Sequence, residues 1–150
     1  MKAKAPELDC ACLAIRQAAR VVTQFYGVGL GGRLEIPQFG LLSVLARSPG
    51  CNQAMLAREL NLDKTTLSRN LKLMEKNGWI ERVSSDDRRV RGFHLTTAGR
   101  KLLRSARPGW KRAQERFQAA MSGGRWEAMW RLLGDITEAV GKAEGGGNAP

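Results

Sequence analysis

Two short helical patterns joined by a very small turn constrain this chain more than any other feature. Asn52 is a residue type that caps helices, and the pattern after it predicts a helix over Gln53 to Leu60. Asp63 caps a longer predicted helix that runs to about Asn77, and Gly78 ends it as the C′ residue. Two such helices predict a helix-turn-helix, with the second as the candidate recognition helix.

Apolar and polar residues of this helix pair separate onto opposite faces. The residues predicted to face the core are Met55, Leu56, Leu60, Leu67, Leu71 and Met74. The residues predicted to face outward from the second helix are Lys64, Thr65, Ser68, Arg69 and Lys72. The candidate recognition helix therefore has an outward face that is polar and basic.

A β-hairpin pattern follows the candidate recognition helix. Trp79 to Val83 is strand-like, Ser84 to Arg89 is a polar turn, and Val90 to Leu95 pairs back. The basic residues at its tip are Arg88, Arg89 and Arg91. A basic hairpin directly after a recognition helix is typical of a wing. The predicted fold class is therefore mainly α with a small β-hairpin wing, a winged helix-turn-helix.

Two further helices are predicted before this segment. The first runs from about Leu8 to Tyr26, with an apolar stripe at steps of three and four, and is expected to fray at the glycines of residues 27–32. Those residues spell GxGxxG, but a helix precedes them and no βαβ unit follows, so the pattern indicates a flexible link rather than nucleotide binding. Pro37 is suited to the first turn of the second helix.

The C-terminal part of the chain also reads as helical. Thr96 caps a long helix that runs to about Met121, and Pro108 inside it is expected to kink it. Gly123 and Gly124 interrupt the chain before a last amphipathic helix. Residues 144–150 are rich in glycine and are predicted to be a disordered tail.

The charge of the chain points to a polyanionic partner. The 25 Lys and Arg outnumber the 14 Asp and Glu, which gives a net charge of +11. Residues 61–104 hold eleven of these cations against five carboxylates, so more than half of the excess lies in under a third of the chain. No apolar run is long enough to span a bilayer, which leaves nucleic acid as the expected partner and no membrane. Three cysteines do not make a disulfide framework, and a cytoplasmic location is expected.

The order of elements and several local words resemble the MarR family of transcriptional regulators over nearly the whole chain. The segments that carry the resemblance are Pro37 through Leu45, Met55 through Leu60, Asp63 through Arg69, Leu73 through Ile80, Asp87-Arg88-Arg89 and Leu95-Thr96. The run of glycines after the first helix and the glycine-rich tail depart from the family pattern.

The resemblance implies a single MarR-like domain over residues 1–150 that forms a homodimer. Residues of about 8–34 and 97–143 would then be dimerisation helices, and residues of about 37–96 the winged helix-turn-helix. It also implies a palindromic operator and repression that a small-molecule effector or an oxidant relieves.

The candidate DNA contacts lie on the second helix of the motif and on the wing. Hydroxyls of Thr65, Thr66 and Ser68 can reach phosphates or base edges, Arg69 suits bidentate contact with guanine, and Lys64 suits a phosphate. On the wing, the side chains suited to a narrow minor groove are Arg88, Arg89 and Arg91. The alternative is that both sets are solvated surface residues.

Cys10 and Cys12 are candidate redox residues. If Asp9 caps the first helix, both thiols lie in its first turn, where the positive end of the helix favours the thiolate. Two positions on a helix lie about 200° apart, so a bridge between subunits is easier than one within the chain. The alternative is that Cys12 packs on the apolar stripe and Cys10 is an incidental surface thiol. Cys51 precedes the short helix at a position that favours packing.

No catalytic constellation is visible, because the chain has one histidine, scattered carboxylates and no nucleophile motif. The sequence therefore predicts no enzyme, no cofactor and no metal site, and His94 is interpreted as structural. Trp110, beside Pro108, is either a core residue or a wall of an effector pocket. The competing function is an architectural DNA-binding protein that has no effector and little sequence preference.

Overall fold

The computed structural model describes residues 10–84 and 91–145, and its elements follow the predicted order. The helices in these residues are α1 (Ala11–Gly29), α2 (Ile36–Arg47), α3 (Gln53–Leu60), α4 (Lys64–Lys76), α5 (Thr97–Ala120) and α6 (Arg125–Gly145). Strands β1 (Ile80–Ser84) and β2 (Arg91–Leu95) form an antiparallel hairpin in which Ile80 pairs with Leu95 and Ser84 with Arg91. The predicted fold class, mainly α with a small hairpin, is confirmed.

The chain divides into two compact units, residues 1–113 and residues 114–150. The first unit holds α1 to α4, the hairpin and the larger part of α5. The second unit holds the end of α5 together with α6, where the Trp126 ring lies edge-on to Phe117 and to Trp130. The predicted limits of the DNA-binding and dimerisation segments stay predictions.

The core of the first unit is built around α2. Its buried side chains meet those of α3, α4, the hairpin and α5, and the largest fully buried ones are Leu41, Leu42, Leu45, Leu56, Leu67, Leu71 and Met74. Burial of this apolar surface is the dominant favourable contribution to folding. Because α4 supplies three of these residues, the candidate recognition helix is held firmly on its inner side.

A third extended segment completes the base of the hairpin. Gly50 donates its N–H to the Phe93 carbonyl at 3.0 Å, and Phe93 donates to the Cys51 carbonyl at 3.0 Å. Asn52 forms an isolated bridge with Gly92 next to them. Cys51 is buried in the core, as its sequence position predicts.

The first helix differs from its prediction at both ends. It begins at Ala11 with Cys10 as the N-cap residue, so a cap by Asp9, which lies outside the described residues, is wrong. It does not fray at Gly27 but continues to Gly29, because Gly29 packs so closely on Gly109 of α5 that neither position has room for a Cβ. The chain turns only afterwards, where Gly31 and Gly32 have positive φ.

Three other predictions need correction or qualification. Met55 does not face the core, since 44% of it is exposed. The helix around Pro108 is continuous, and α5 extends through it. At the C-terminus, α6 reaches Gly145, two residues into the predicted tail, and residues 146–150 lie outside the described residues.

Candidate nucleic-acid interface

The turn between α3 and α4 is fixed by side-chain chemistry at three polar residues. The Asn52 side chain accepts a hydrogen bond from the Met55 N–H at 2.9 Å and caps α3. Asn61 closes α3 in the left-handed conformation, with φ of 47°, which asparagine tolerates better than most residues. Two residues later Asp63 starts α4. The short connection leaves α3 and α4 with little freedom to move relative to each other.

Asp63 is the N-cap of the candidate recognition helix. Its carboxylate accepts the Thr66 N–H at 2.8 Å and the Thr66 hydroxyl at 2.5 Å. The hydroxyl bond first, and the backbone bond second, hold the pKa of Asp63 below its ordinary value. The Thr66 hydroxyl therefore has a structural partner, which distinguishes it from the other predicted contact residues.

The inner face of α4 is apolar apart from one satisfied polar group. Leu67, Leu71 and Met74 are buried, as predicted. Asn70 is buried with them, and its side-chain N–H₂ group donates to the Thr66 carbonyl at 2.9 Å. Since the inner face is packed and its amide is bonded, the orientation of the outer face is fixed.

The outer face of α4 presents the residues that the sequence predicted. Thr65, Arg69 and Lys72 are exposed with Lys64, and Ser68 is half-buried. Together these five residues line an open groove of about 500 Å³. Three of the five are cations and none is an acid, so the groove attracts polyanions.

The C-terminal end of α4 is tied to the hairpin. Gly78, with φ of 68°, gives its N–H to the Glu75 carbonyl at 2.9 Å, and Trp79 gives its own to the Met74 carbonyl at 2.9 Å. This pair of bonds is a Schellman motif, which turns the chain directly into β1. It also explains why β1 begins at Ile80, one residue later than predicted.

Arg82 on β1 makes a second tie that sequence reasoning missed. Its Nε and Nη2 donate to the two carboxylate oxygens of Glu75 at 2.5 and 3.0 Å. Its guanidinium carbon also lies 5.3 Å from the centroid of the Phe93 ring. The bond to Glu75 raises the pKa of Arg82. The only sequence signal was an acid on the last turn of α4 and an arginine seven residues later, which is too common a pattern to interpret alone.

The wing residues stand differently from one another. Arg91 begins β2, paired with Ser84. Arg88 and Arg89 lie outside the described residues. Behind the hairpin, the Thr96 hydroxyl donates to the Gly78 carbonyl at 2.6 Å and accepts the Gly99 N–H at 3.1 Å, which confirms Thr96 as the cap of α5.

The candidate redox residues are brought to the start of α1. Cys10 is half-buried and lies before the helix, with an extended backbone, so only Cys12 is in the first turn. Cys12 is exposed and is not packed in the core of the single chain. Among the residues that the structure describes, no group of three or more His, Cys, Asp or Glu side chains could hold a metal ion.

Comparisons with known proteins agree with this geometry. Residues 33–89 match the MarR family. The regulator MgrA of Staphylococcus aureus is 32% identical over 133 residues, which cover 85% of this chain and 88% of MgrA. The chain belongs to the MarR family. A putative transcriptional regulatory protein for the hcr operon of Thauera aromatica is also 32% identical, over 110 residues that cover 73% of this chain and 63% of that relative.

Solved structures extend the match to nearly the full length. The Mycobacterium tuberculosis regulator MosR, solved in complex with DNA, is 32% identical with a TM-score of 0.78, over 89% of this chain and 98% of MosR. The repressor CouR, bound to a 23-mer DNA duplex, is 26% identical with a TM-score of 0.76, over 91% of this chain and 99% of CouR. The protein is thus a transcriptional regulator of the DNA-binding MarR family and not an enzyme. In the described part of the chain, no helix combines the length and apolarity that crossing a bilayer requires.

Proposed function

We propose that this MarR-family protein is a homodimeric repressor that recognises a palindromic operator with the outer face of α4 and with the wing. The observation that carries the proposal is the groove lined by Lys64, Thr65, Ser68, Arg69 and Lys72. Its cations supply phosphate contacts, its hydroxyls and Arg69 supply groups that read base edges, and the packed inner face fixes their direction. The relatives MosR and CouR, each solved with DNA, support the assignment.

A homodimer is supported by apolar side chains that the single chain leaves uncovered. In α1 no residue is buried, and Leu13, Ile15 and Val21 are each at least 44% exposed. In α6 the large exposed apolar residues are Trp130, Leu132, Leu133 and Val140. Exposed apolar surface of this extent is typical of an interface. A second copy of the chain is the occupant that the family resemblance implies.

Arg69 is the sharpest test of sequence recognition. Arg69→Ala should weaken binding to the protein's own upstream DNA by about 1–3 kcal/mol and relax discrimination at one base pair, because a bidentate contact to guanine is worth that much. Binding to upstream and scrambled duplexes is measured by fluorescence anisotropy at matched salt. Arg20→Ala, which removes an equally exposed cation from α1, is the control and should leave the preference intact.

The outcome separates the two candidate functions. Preference for the upstream duplex that Arg69→Ala removes supports specific regulation. Equal affinity for both duplexes, extended by genome-wide binding that finds no enriched site, would establish the architectural alternative. Unchanged affinity and preference in Arg69→Ala would exclude Arg69 from base reading.

Relief of repression is proposed to come from a small ligand or from oxidation of Cys12 or Cys10. Cys12 is exposed in the first turn of α1, so a peroxide can reach it. If Cys12 is the sensor, peroxide should release the wild type from DNA and leave Cys12→Ser bound. Cys51→Ser is the matched control, since that thiol is buried in the core. A peroxide response that both variants retain, along with Cys10→Ser, would leave the ligand as the effector.

A further inference from the structure

The first part of α5 is the most uniformly basic surface in the described chain after α4. Between Thr97 and Ala113 it carries six cations and no carboxylate. These residues are all exposed: Arg100, Lys101, Arg104, Arg107, Lys111 and Arg112. Their number exceeds what solubility needs on one helix, and nothing in the proposed contacts of α4 and the wing uses them.

Four of these cations fall on one line along the helix. Arg100, Arg104, Arg107 and Lys111 follow one another at steps of four, three and four, and residues at such steps share a face. The line is about 16 Å long at 1.5 Å per residue. We call these four residues the α5 stripe. The opposite side of the helix is held in the core by Leu103 and Ala106, so the stripe is presented in a fixed direction.

The charge of the stripe is not compensated inside the described part of the chain. No carboxylate there pairs with Arg104 or Arg107, whereas Arg82 has Glu75 and Arg47 has Glu59. Like charges three or four residues apart on a helix repel each other and destabilise it modestly. A polyanion on this face would remove that repulsion, and the net charge of the whole chain favours such a partner.

The stripe begins where the wing ends. Arg100 donates from Nη1 to the carbonyl of Leu95, the last residue of β2, at 2.7 Å. The base of the hairpin and the first residue of the stripe are therefore joined directly. We propose that the α5 stripe contacts DNA phosphates beyond those reached by α4 and the wing, and so enlarges the electrostatic footprint of the protein. The proposal rests on the DNA-binding function proposed above.

Salt dependence measures this footprint without knowledge of the operator. Phosphate contacts are independent of sequence, so the probe is a random-sequence duplex of about 40 base pairs, titrated by anisotropy from about 50 to about 200 mM KCl. The variant is Arg104→Gln/Arg107→Gln. The matched control is Arg16→Gln/Arg20→Gln, which removes two exposed cations four residues apart on α1. Sedimentation of every variant checks the oligomeric state.

The expected result is a shallower salt dependence in the stripe variant alone. Each lost contact lowers the slope of log K against log salt by about 0.9. With two contacts per subunit, the affinity advantage of the wild type should shrink roughly twelvefold per subunit between about 50 and about 200 mM. Equal slopes for the stripe variant and the wild type would overturn the proposal, as would dissociation of the dimer, which would assign the stripe to a protein partner.

A third variant distinguishes failure of this proposal from failure of the proposed function. Lys64→Gln/Arg69→Gln removes two cations from the α4 groove. If it loses DNA binding while the stripe variant keeps the wild-type slope, only the stripe proposal fails. If neither pair changes the slope, the α4 interface itself is wrong.

Discussion

Gly109 is the position where α5 and α1 approach most closely. A Cβ built on Gly109 would overlap the carbonyl oxygen of Gly29 and lie 3.1 Å from its carbonyl carbon. A Cβ on Gly29 would in turn lie 2.9 Å from the Ala113 Cβ and 3.0 Å from the Gly109 carbonyl oxygen. The obstacles are backbone and Cβ atoms, which cannot move aside as the end of a flexible side chain can. Gly109→Ala must therefore push the end of α1 away from α5.

The magnitude follows from two opposing contributions. Overpacking typically costs about 1–3 kcal/mol, and overlap with a backbone atom places Gly109→Ala at the upper end. Replacement of a helical glycine by alanine returns about 1 kcal/mol of helix propensity. The net expectation is a loss of about 2 kcal/mol of unfolding free energy. For a chain of 150 residues this lowers Tm by about 4–8 °C.

Gly27→Ala is the control on the facing helix. Gly27 also lies inside α1, but a Cβ there meets no atom within 4 Å. This substitution should raise the unfolding free energy by about 0.5–1 kcal/mol. Urea unfolding followed by circular dichroism, at one fixed protein concentration, measures both variants. If Gly109→Ala proved as stable as Gly27→Ala, the close packing of α1 on α5 would be refuted as the reason that α1 continues through its glycines.

Three further predictions concern α4 and its surroundings. Arg82→Gln should cost about 0.5–1 kcal/mol of stability, near the upper limit for an exposed pair because the contact with Glu75 is bidentate; a double-mutant cycle with Glu75→Gln that shows no coupling would contradict it. Asp63→Ala should lower stability above pH of about 4, where the wild-type carboxylate is ionised. Because folding depresses the pKa of Asp63, this difference should fade as the pH falls through that lowered pKa, and acid titration of both proteins would expose a constant gap. Cys51→Ala should cost about 1 kcal/mol in thermal unfolding, since the thiol fills core space, and no change in Tm would show that the position tolerates a gap.

Local chemistry made part of this fold predictable from sequence. Asn52 and Asp63 cap helices with their own side chains, and Gly78 adopts the positive φ that ends α4. Each of these roles depends on residues within three or four positions in the chain. The period of the apolar residues then located the buried face of α4. The helix-turn-helix and the hairpin could therefore be placed without knowledge of distant contacts.

Predictions failed where a distant partner decides the outcome. The glycines of α1 favour an early end to the helix, and only packing on Gly109, eighty residues later in the chain, overrides that preference. Arg82 is one of many arginines in the sequence, and its contacts with Glu75 and Phe93 depend on how β1 leaves α4. Met55 has an apolar side chain that falls on the exposed side of α3. A pattern along one helix does not contain these facts.

The three hydroxyls predicted to contact DNA show how structure sharpens a site that sequence only outlines. Thr65, Thr66 and Ser68 are equivalent to a sequence argument, since each is short and polar near the start of α4. In the structure the Thr66 hydroxyl donates to the Asp63 carboxylate, and Thr66 does not line the groove. Thr65 and Ser68 do line it, next to Arg69. Base reading by hydroxyls is therefore best sought at Thr65 and Ser68, whereas Thr66 should matter to DNA binding through the capping of the helix that carries them.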